Sequence, residues 1–336
     1  MDVTTQGLAS LALARAAWSR APKQVWLVAI AAGTIADIDA FSAWINASAY
    51  LTWHRTFTHS LPAAVFFAAL CAITYHFAGS KDLRAKFSTV NAFAVALAAT
   101  SLHLLLDVCG TQGAALFWPF SSRRFALDWA VEFDPLIMFF LLAALLLPEL
   151  LHLVSSEIGA RDKRPRGRIA ARVAFATILI YFGVRANFRN NVIALLESRT
   201  YHGEVADRVG AFPARFSPFE WSCVVDAARS VQTLTVMEGP VESFDPESAE
   251  TQFKPEPSPS LEAAQKTRTA ERFVRFAQFP KASVESAPDG TVVILRDLKA
   301  AAADETAHEV AAVIHLDKSH QVTSQRITWA DRVSEE

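Results

Sequence analysis

The chain opens with long stretches in which apolar residues follow one another almost without interruption, and it closes with short stretches in which they alternate with polar ones. A helix needs about 20 mostly apolar residues to cross roughly 30 Å of hydrocarbon. Segments 61–78, 87–108 and 133–154 meet that length. Segment 24–45 does so with Asp37 and Asp39 inside it, and segment 169–187 with Arg172 near one end. Segment 3–20 is shorter and contains Arg15, so it is expected either to cross at a tilt or to lie in the interface. No soluble core needs apolar runs of this length. The pattern therefore predicts an all-α polytopic membrane domain of five or six transmembrane helices over residues 1–190.

Beyond residue 190 the pattern changes to that of a small soluble α+β domain, residues 191–336. The last helix is expected to continue to about Ser198, with breaks at Pro213 and Pro218. Segment 231–237 reads as a strand, and residues 239–260, with five prolines among Ser and Glu, read as a flexible loop. A helix is predicted near 261–271. Strand-like runs follow at 273–279, 291–295, 309–316 and 321–329, with Pro288-Asp289-Gly290 as a turn.

Composition alters this picture little. Mean hydropathy is +0.22 and charged residues make up 20%, averages that conceal an apolar half and a polar half. A net charge of −2 argues against nucleic acid as a partner; the bilayer is the partner the spans require, and no protein partner is legible. Cys71, Cys109 and Cys223 are too few and too far apart for a disulfide framework or a thiolate zinc site. The polar start lacks a basic region, so no cleavable signal peptide is expected. Lys and Arg concentrate in alternate loops: Arg15, Arg20 and Lys23; Lys81, Arg84 and Lys86; Arg161, Lys163, Arg164, Arg166 and Arg168. Such loops face the cytoplasm. The expectation is a bacterial inner membrane protein whose other loops and C-terminal domain are extracytoplasmic.

Ionisable residues inside spans are costly and mark function by default. On this topology Asp37 and Asp39, His54 and His59, His103 and Asp107, and Asp134 all fall toward the outer face, from four separate segments. His103 and Asp107 are i and i+4 on one helix face, near enough to share a metal. Asp37 and Asp39 diverge by about 200° on a regular α-helix, so either the helix ends there or one is a ligand and the other supports it. In His54-Arg55-Thr56-Phe57-Thr58-His59-Ser60 the loop form lets both imidazoles turn inward, with Ser60 as a helix cap. Imidazole and carboxylate ligands without thiolate suit zinc, with manganese or iron as alternatives, and such a metal activates water for hydrolysis.

The succession Ala36-Asp37-Ile38-Asp39, His54 to Ser60, His103-Leu104-Leu105-Leu106-Asp107 and Trp118-Pro119-Phe120-Ser121 resembles the YdjM/YbcI-type family of predicted inner-membrane metal-dependent hydrolases over roughly residues 1–190. Some members of that family are described as LexA-binding, and the family activity is described as phospholipase-like. The resemblance implies a metal site at Asp37, Asp39, His54, His59, His103 and Asp107, and of these Asp37, Asp39, His103 and Asp107 are expected to be catalytic. The chain departs from the family where members carry a Thr-His pair near the N-terminus and it has Thr5-Gln6.

Blander readings stand beside these. His103 and Asp107 could join spans by hydrogen bonding, Asp37 and Asp39 could end a helix, His54 and His59 could flank a cap, and Asp134-Pro135 is a helix-start pair. Glu149, His152, His76, His308, His315 and His320 read as structural or solvated. Arg55, Arg123, Arg124 and Asp134 are the candidates for substrate contact, the arginines as partners of lipid phosphate. The leading expectation is a metal-dependent hydrolase of a membrane-lipid ester. The alternative is a non-catalytic membrane binding or regulatory protein with a structural or vestigial metal site.

Overall fold

The structure, a computed structural model, describes the chain except residues 158–166, 240–242, 245–248, 300–308 and 336. The basic residues Arg161, Lys163, Arg164 and Arg166, and also His308, therefore lie outside the described residues. The chain divides into two compact units, Met1–Asp39 with Arg55–Ala186, and Ala40–His54 with Asn187–Glu336.

The first unit is helical. Its elements are α1 (Val3–Ala17), α2 (Lys23–Thr34), α4 (Leu61–Ala78), a short α5 (Lys81–Lys86), α6 (Thr89–Cys109), α7 (Pro135–Glu157) and most of α8 (Arg168–Glu197); α3 (Ala47–Trp53) belongs to the second unit. Among the described residues, five helical segments are long and apolar enough to cross a membrane: Lys23–Trp44, Leu61–Ala78, Thr89–Cys109, Pro135–Leu153 and Arg168–Glu197. Their outward faces are apolar. Phe66, Ile73 and Phe77 on α4, Phe139, Leu146 and Leu150 on α7, and Ile169, Leu179 and Ile180 on α8 are all exposed, which water would penalise and lipid does not. Between helices the contacts are small. Ala29 and Ala32 of α2, Ala68 of α4, and Ala92, Ala96 and Ala99 of α6 form one buried cluster, so these backbones approach closely. A second cluster joins Ala9 and Ala12 of α1 to Leu106, Ile137, Leu141 and Ile178. Arg15 of α1 donates to the Leu145 carbonyl at 2.9 Å and pairs with Glu149 at 3.4 Å, which satisfies its charge against α7.

Segment 24–45 is not one α-helix. The α-helix ends at Thr34 and the chain continues as a 3-10 helix, Ile35–Trp44. A run of that length is uncommon and marks functional or strained backbone.

Among the described residues, the second unit contains two antiparallel sheets. In the first, β1 (Thr200–Tyr201), β2 (Glu204–Pro213), β3 (Glu220–Ala227), β4 (Ser230–Met237) and β5 (Ser243–Phe244) lie in that order, and β6 (Glu250–Phe253) also pairs with β4. Trp221, Cys223 and Val225 of β3 point to one face and pack with Val192 and Leu196 at the end of α8. The second sheet runs β10 (Val322–Trp329), β9 (Val310–Asp317), β8 (Gly290–Asp297), β7 (Pro280–Ala287). Gly290, at φ 159°, closes the β7–β8 hairpin where the sequence predicts a turn. Its inner face packs on Leu261 and Ala264 of α9 (Pro259–Gln265), Ala270 and Phe273 of α10 (Arg268–Phe276), and Ala47, Tyr50 and Leu51 of α3.

Four expectations for this unit need correction. Segment 273–279 is not a strand: residues 273–276 end α10, which Thr267 caps through the Ala270 N–H at 3.2 Å, and residues 277–279 lead into β7. Ala270 and Phe273 are buried at i and i+3, a helical spacing that the dense aromatic residues of the segment mask. The helix expected at 261–271 is interrupted at Lys266–Thr267, giving two helices. The prolines at 213 and 218 do not merely break the chain. Pro213 ends β2 opposite Trp221, and the segment between the strands is their connection. Part of the Pro-rich stretch is also ordered as β6, whose Glu250–Phe253 pair with Ser230–Thr233.

Candidate metal centre

The candidate residues of the first unit come from α1, α2 and its 3-10 continuation, the loop before α4, and α6. His103 and Asp107 sit one turn apart on the buried face of α6, and His103 Nε2 lies 3.1 Å from Asp107 Oδ2. The loop residue His59, fully buried, brings its own Nε2 to 3.2 Å from the same oxygen and 3.5 Å from Asp37 Oδ1. Asp37 Oδ1 is 3.8 Å from His103 Nε2. Ligand atoms of Asp37, His59 and His103 all lie within 4.8 Å of one another, and Asp107 joins them through both imidazoles.

The 3-10 geometry explains why the two aspartates act differently. At about 120° per residue, side chains two apart are separated by about 120°, against about 160° on an α-helix. The two carboxylates can then reach opposite nitrogens of one ring. Asp37 faces His59 Nε2, whereas Asp39 Oδ2 lies 3.0 Å from His59 Nδ1. Asp39 also accepts from the Arg55 N–H at 2.8 Å and from the Thr58 hydroxyl. The other imidazole is oriented in the same way, because His103 Nδ1 donates to the Gly33 carbonyl at 2.8 Å. A partner on Nδ1 sets the tautomer and aims Nε2, the usual arrangement behind a metal-binding histidine.

Asp107 Oδ1 is held by the Met1 amino group, by Gln6 Nε2 at 3.1 Å and by Arg55 Nη1 at 3.1 Å. Gln6 Nε2 also donates to the His103 carbonyl at 3.2 Å, and two acceptors on one side fix its amide orientation. Gln6 is thus part of the cluster, fully buried, at the position where the resemblance places a histidine. Burial by itself pulls the His59 imidazole down. Its hydrogen bonds to Asp107, Asp37 and Asp39 outweigh that and push it up to about 10.

The donor set fits a divalent cation. Asp37 Oδ2, His103 Nε2 and Asp107 Oδ2 are buried polar atoms without a well-formed hydrogen bond among the described residues. Three carboxylates, Asp37, Asp39 and Asp107, converge on the two imidazoles, and among the described residues Arg55 and the Met1 amino group are cations bonded to Asp107. Carboxylate and imidazole lone pairs gathered in a low-dielectric interior are costly to leave without full pairing, and a divalent cation would satisfy those that converge here.

Other sequence candidates are placed elsewhere. His54 ends α3 in the second unit, its ring stacked on Tyr50 with centroids 4.5 Å apart. Asp134 caps α7, accepting from the N–H groups of Leu136 and Ile137 at 3.0 and 3.2 Å and from the Tyr181 hydroxyl at 2.9 Å. Arg123 is exposed, 5.6 Å over the Phe125 ring, and Arg124 is half-buried in the same loop. Sequence reasoning missed Thr58 and the Gly33 carbonyl. Only Thr58 had a signal, its place inside the histidine loop.

A relative from Bacillus subtilis (strain 168), described as uncharacterized protein YfhP, is 32% identical over 122 residues, covering 36% of this chain and 36% of that protein. The chain thus spans about a third of that relative's length. No solved structure matches. The family described as YdjM inner membrane protein matches residues 1–191, more than half of the 336, and the chain belongs to that family.

Proposed function

We propose that the chain is a membrane-bound metal-dependent hydrolase acting on a phosphoester, or another ester, of a membrane lipid. The observation that carries the reading is the buried convergence of His59, His103, Asp37 and Asp107, with each imidazole oriented from behind through Nδ1. A catalytic zinc needs three protein ligands and a water, and these residues suffice for one metal without a histidine at position 6. A bound zinc, manganese or iron would polarise the ester and bring the pKa of a water toward 7.

The protein groups then have separate tasks. Asp39 and the Gly33 carbonyl hold the imidazoles in place. Gln6 and Arg55 fix Asp107 through Oδ1 and so turn Oδ2 to the two rings. Asp37 Oδ2 is the buried oxygen placed to take a proton from the attacking water. Arg55, Arg123 and Arg124 are proposed to meet the anionic part of the lipid. The alternation of basic loops supports an extracytoplasmic position for the site and for the C-terminal unit.

The test is hydrolysis of phospholipid and generic phosphoesters by the purified protein with zinc or manganese, compared with Asp37→Asn and Gln6→His. Turnover that is lost in the first variant and kept or raised in the second is the expected result. Absence of turnover in every metal-loaded form would move the reading to a non-catalytic membrane binding or regulatory protein.

A further inference from the structure

Arg55 does more than neutralise Asp107. Its backbone is left-handed, at φ 54°, a conformation that is strained for a non-glycine residue. The turn is pinned on both sides, by its N–H to Asp39 Oδ2 at 2.8 Å and by the Ala115 N–H to its carbonyl at 3.2 Å. The guanidinium, 2% exposed, is thereby set between two carboxylates: Nη1 lies 3.1 Å from Asp107 Oδ1 and Nη2 lies 3.3 Å from Glu132 Oε1. The second oxygen of Glu132 accepts from Gln112 Nε2 at 3.2 Å. One carboxylate therefore lies across two donors, one oxygen on each, beside the metal cluster.

The two carboxylates on Arg55 differ in what holds them. Asp107 is fully buried and tied to the cluster. Glu132 is 43% exposed, and its side chain can leave for water at little desolvation cost. The seat it would vacate offers a buried guanidinium and an amide N–H, donors suited to two oxygens of a single anion.

We infer that this seat is the anion subsite of the substrate, and that Glu132 is an internal carboxylate occupying it until a phosphate-type oxyanion displaces it. The inference deepens the proposed function and rests on it for the reaction, but the binding itself requires no turnover. Arg55 then joins the two halves of the site: one nitrogen fixes Asp107 against the imidazoles, and the other receives the group to be positioned for attack.

The test is binding of inorganic phosphate to the full chain in detergent, with zinc and with chelator, repeated in phosphatidylcholine bilayers with and without phosphatidate. Glu132→Gln should tighten oxyanion binding by about tenfold or more, the worth of a charge-assisted hydrogen bond no longer competed for. Adding Gln112→Ala should reverse much of that gain. Glu149→Gln, which removes the same charge beside Arg15, should produce none. A gain in the phosphate arm points to a soluble phosphate compound and a gain in the bilayer arm to a lipid headgroup; either supports the subsite. No gain in either arm, a gain matched by Glu149→Gln, or a gain indifferent to Gln112→Ala overturns it. The chelator arm reads the seat without metal, so a failure to bind metal, which would defeat the hydrolase reading, leaves this result separately legible.

Discussion

At the scale of single residues, the centre separates groups whose ligand atoms converge from groups that orient them. Asp39 touches His59 Nδ1, Thr58 and the Arg55 N–H, so Asp39→Asn should weaken zinc binding about 10- to 100-fold while leaving the fold intact. Competition with a chromogenic chelator measures this, and an unchanged affinity would deny Asp39 the orienting role. His59 predicts a pH dependence as well. With its pKa raised to about 10, the metal-free protein holds a proton there. The stabilisation from that proton is fully present below the unfolded value of about 6.5 and is lost as pH rises through about 10. Zinc must displace the proton, so apparent affinity should climb by up to ~tenfold per pH unit per proton released across the neutral range. A flat profile would mean that His59 is not a ligand. The i, i+4 pair His103 and Asp107 was legible from the sequence because helix periodicity alone puts both on one face. The Gly33 carbonyl behind His103 was not, since every residue has a carbonyl and only the fold selects one.

At the scale of elements, the site depends on α1 and α2 meeting at almost no distance. A Cβ on Gly33 would lie 2.7 Å from Ser10 Cβ and closer still to its hydroxyl, so the α1 or α2 backbone would have to shift. Gly33→Ala should therefore cost about 1–3 kcal/mol, and it should lower metal content because the same residue's carbonyl holds His103. Thermal unfolding in detergent together with metal analysis would show both effects; wild-type values in both would contradict the account. The spans were readable because length and apolarity are physical requirements of the bilayer. The switch from α to 3-10 helix after Thr34 was visible only as an alternative, the end of a helix at the two aspartates. The hairpin of β2 and β3 escaped notice because Pro213 and Pro218 mask a pairing made by distant backbone. The end of helix α10 passed for a strand because its aromatic residues outweighed a buried i, i+3 pair.

At the scale of the whole molecule, the two-part division of the chain was legible in its hydropathy, but the detour of residues 40–54 was not. Ala47, Tyr50 and Leu51 share a core with Leu261, Phe273 and Val293, and the Tyr50 ring lies 5.5 Å from that of Trp329. Nothing local in a short helix between two spans announces a partner more than two hundred residues away. Residues 191–336 expressed alone should therefore melt at a lower temperature than in the presence of a 40–54 peptide; no effect of the peptide would contradict this shared core. Orientation across the membrane is a separate matter, and a reporter fused at residue 240 should behave as exported, cytoplasmic behaviour overturning the proposed topology. The central claim is that the buried histidines and aspartates hold a metal, and elemental analysis of the purified full chain tests it most directly. The account predicts stoichiometric divalent metal in the wild type and loss of it in a folded His103→Ala variant, whereas a metal-free wild type that takes up neither zinc nor manganese, or full retention in His103→Ala, would contradict it.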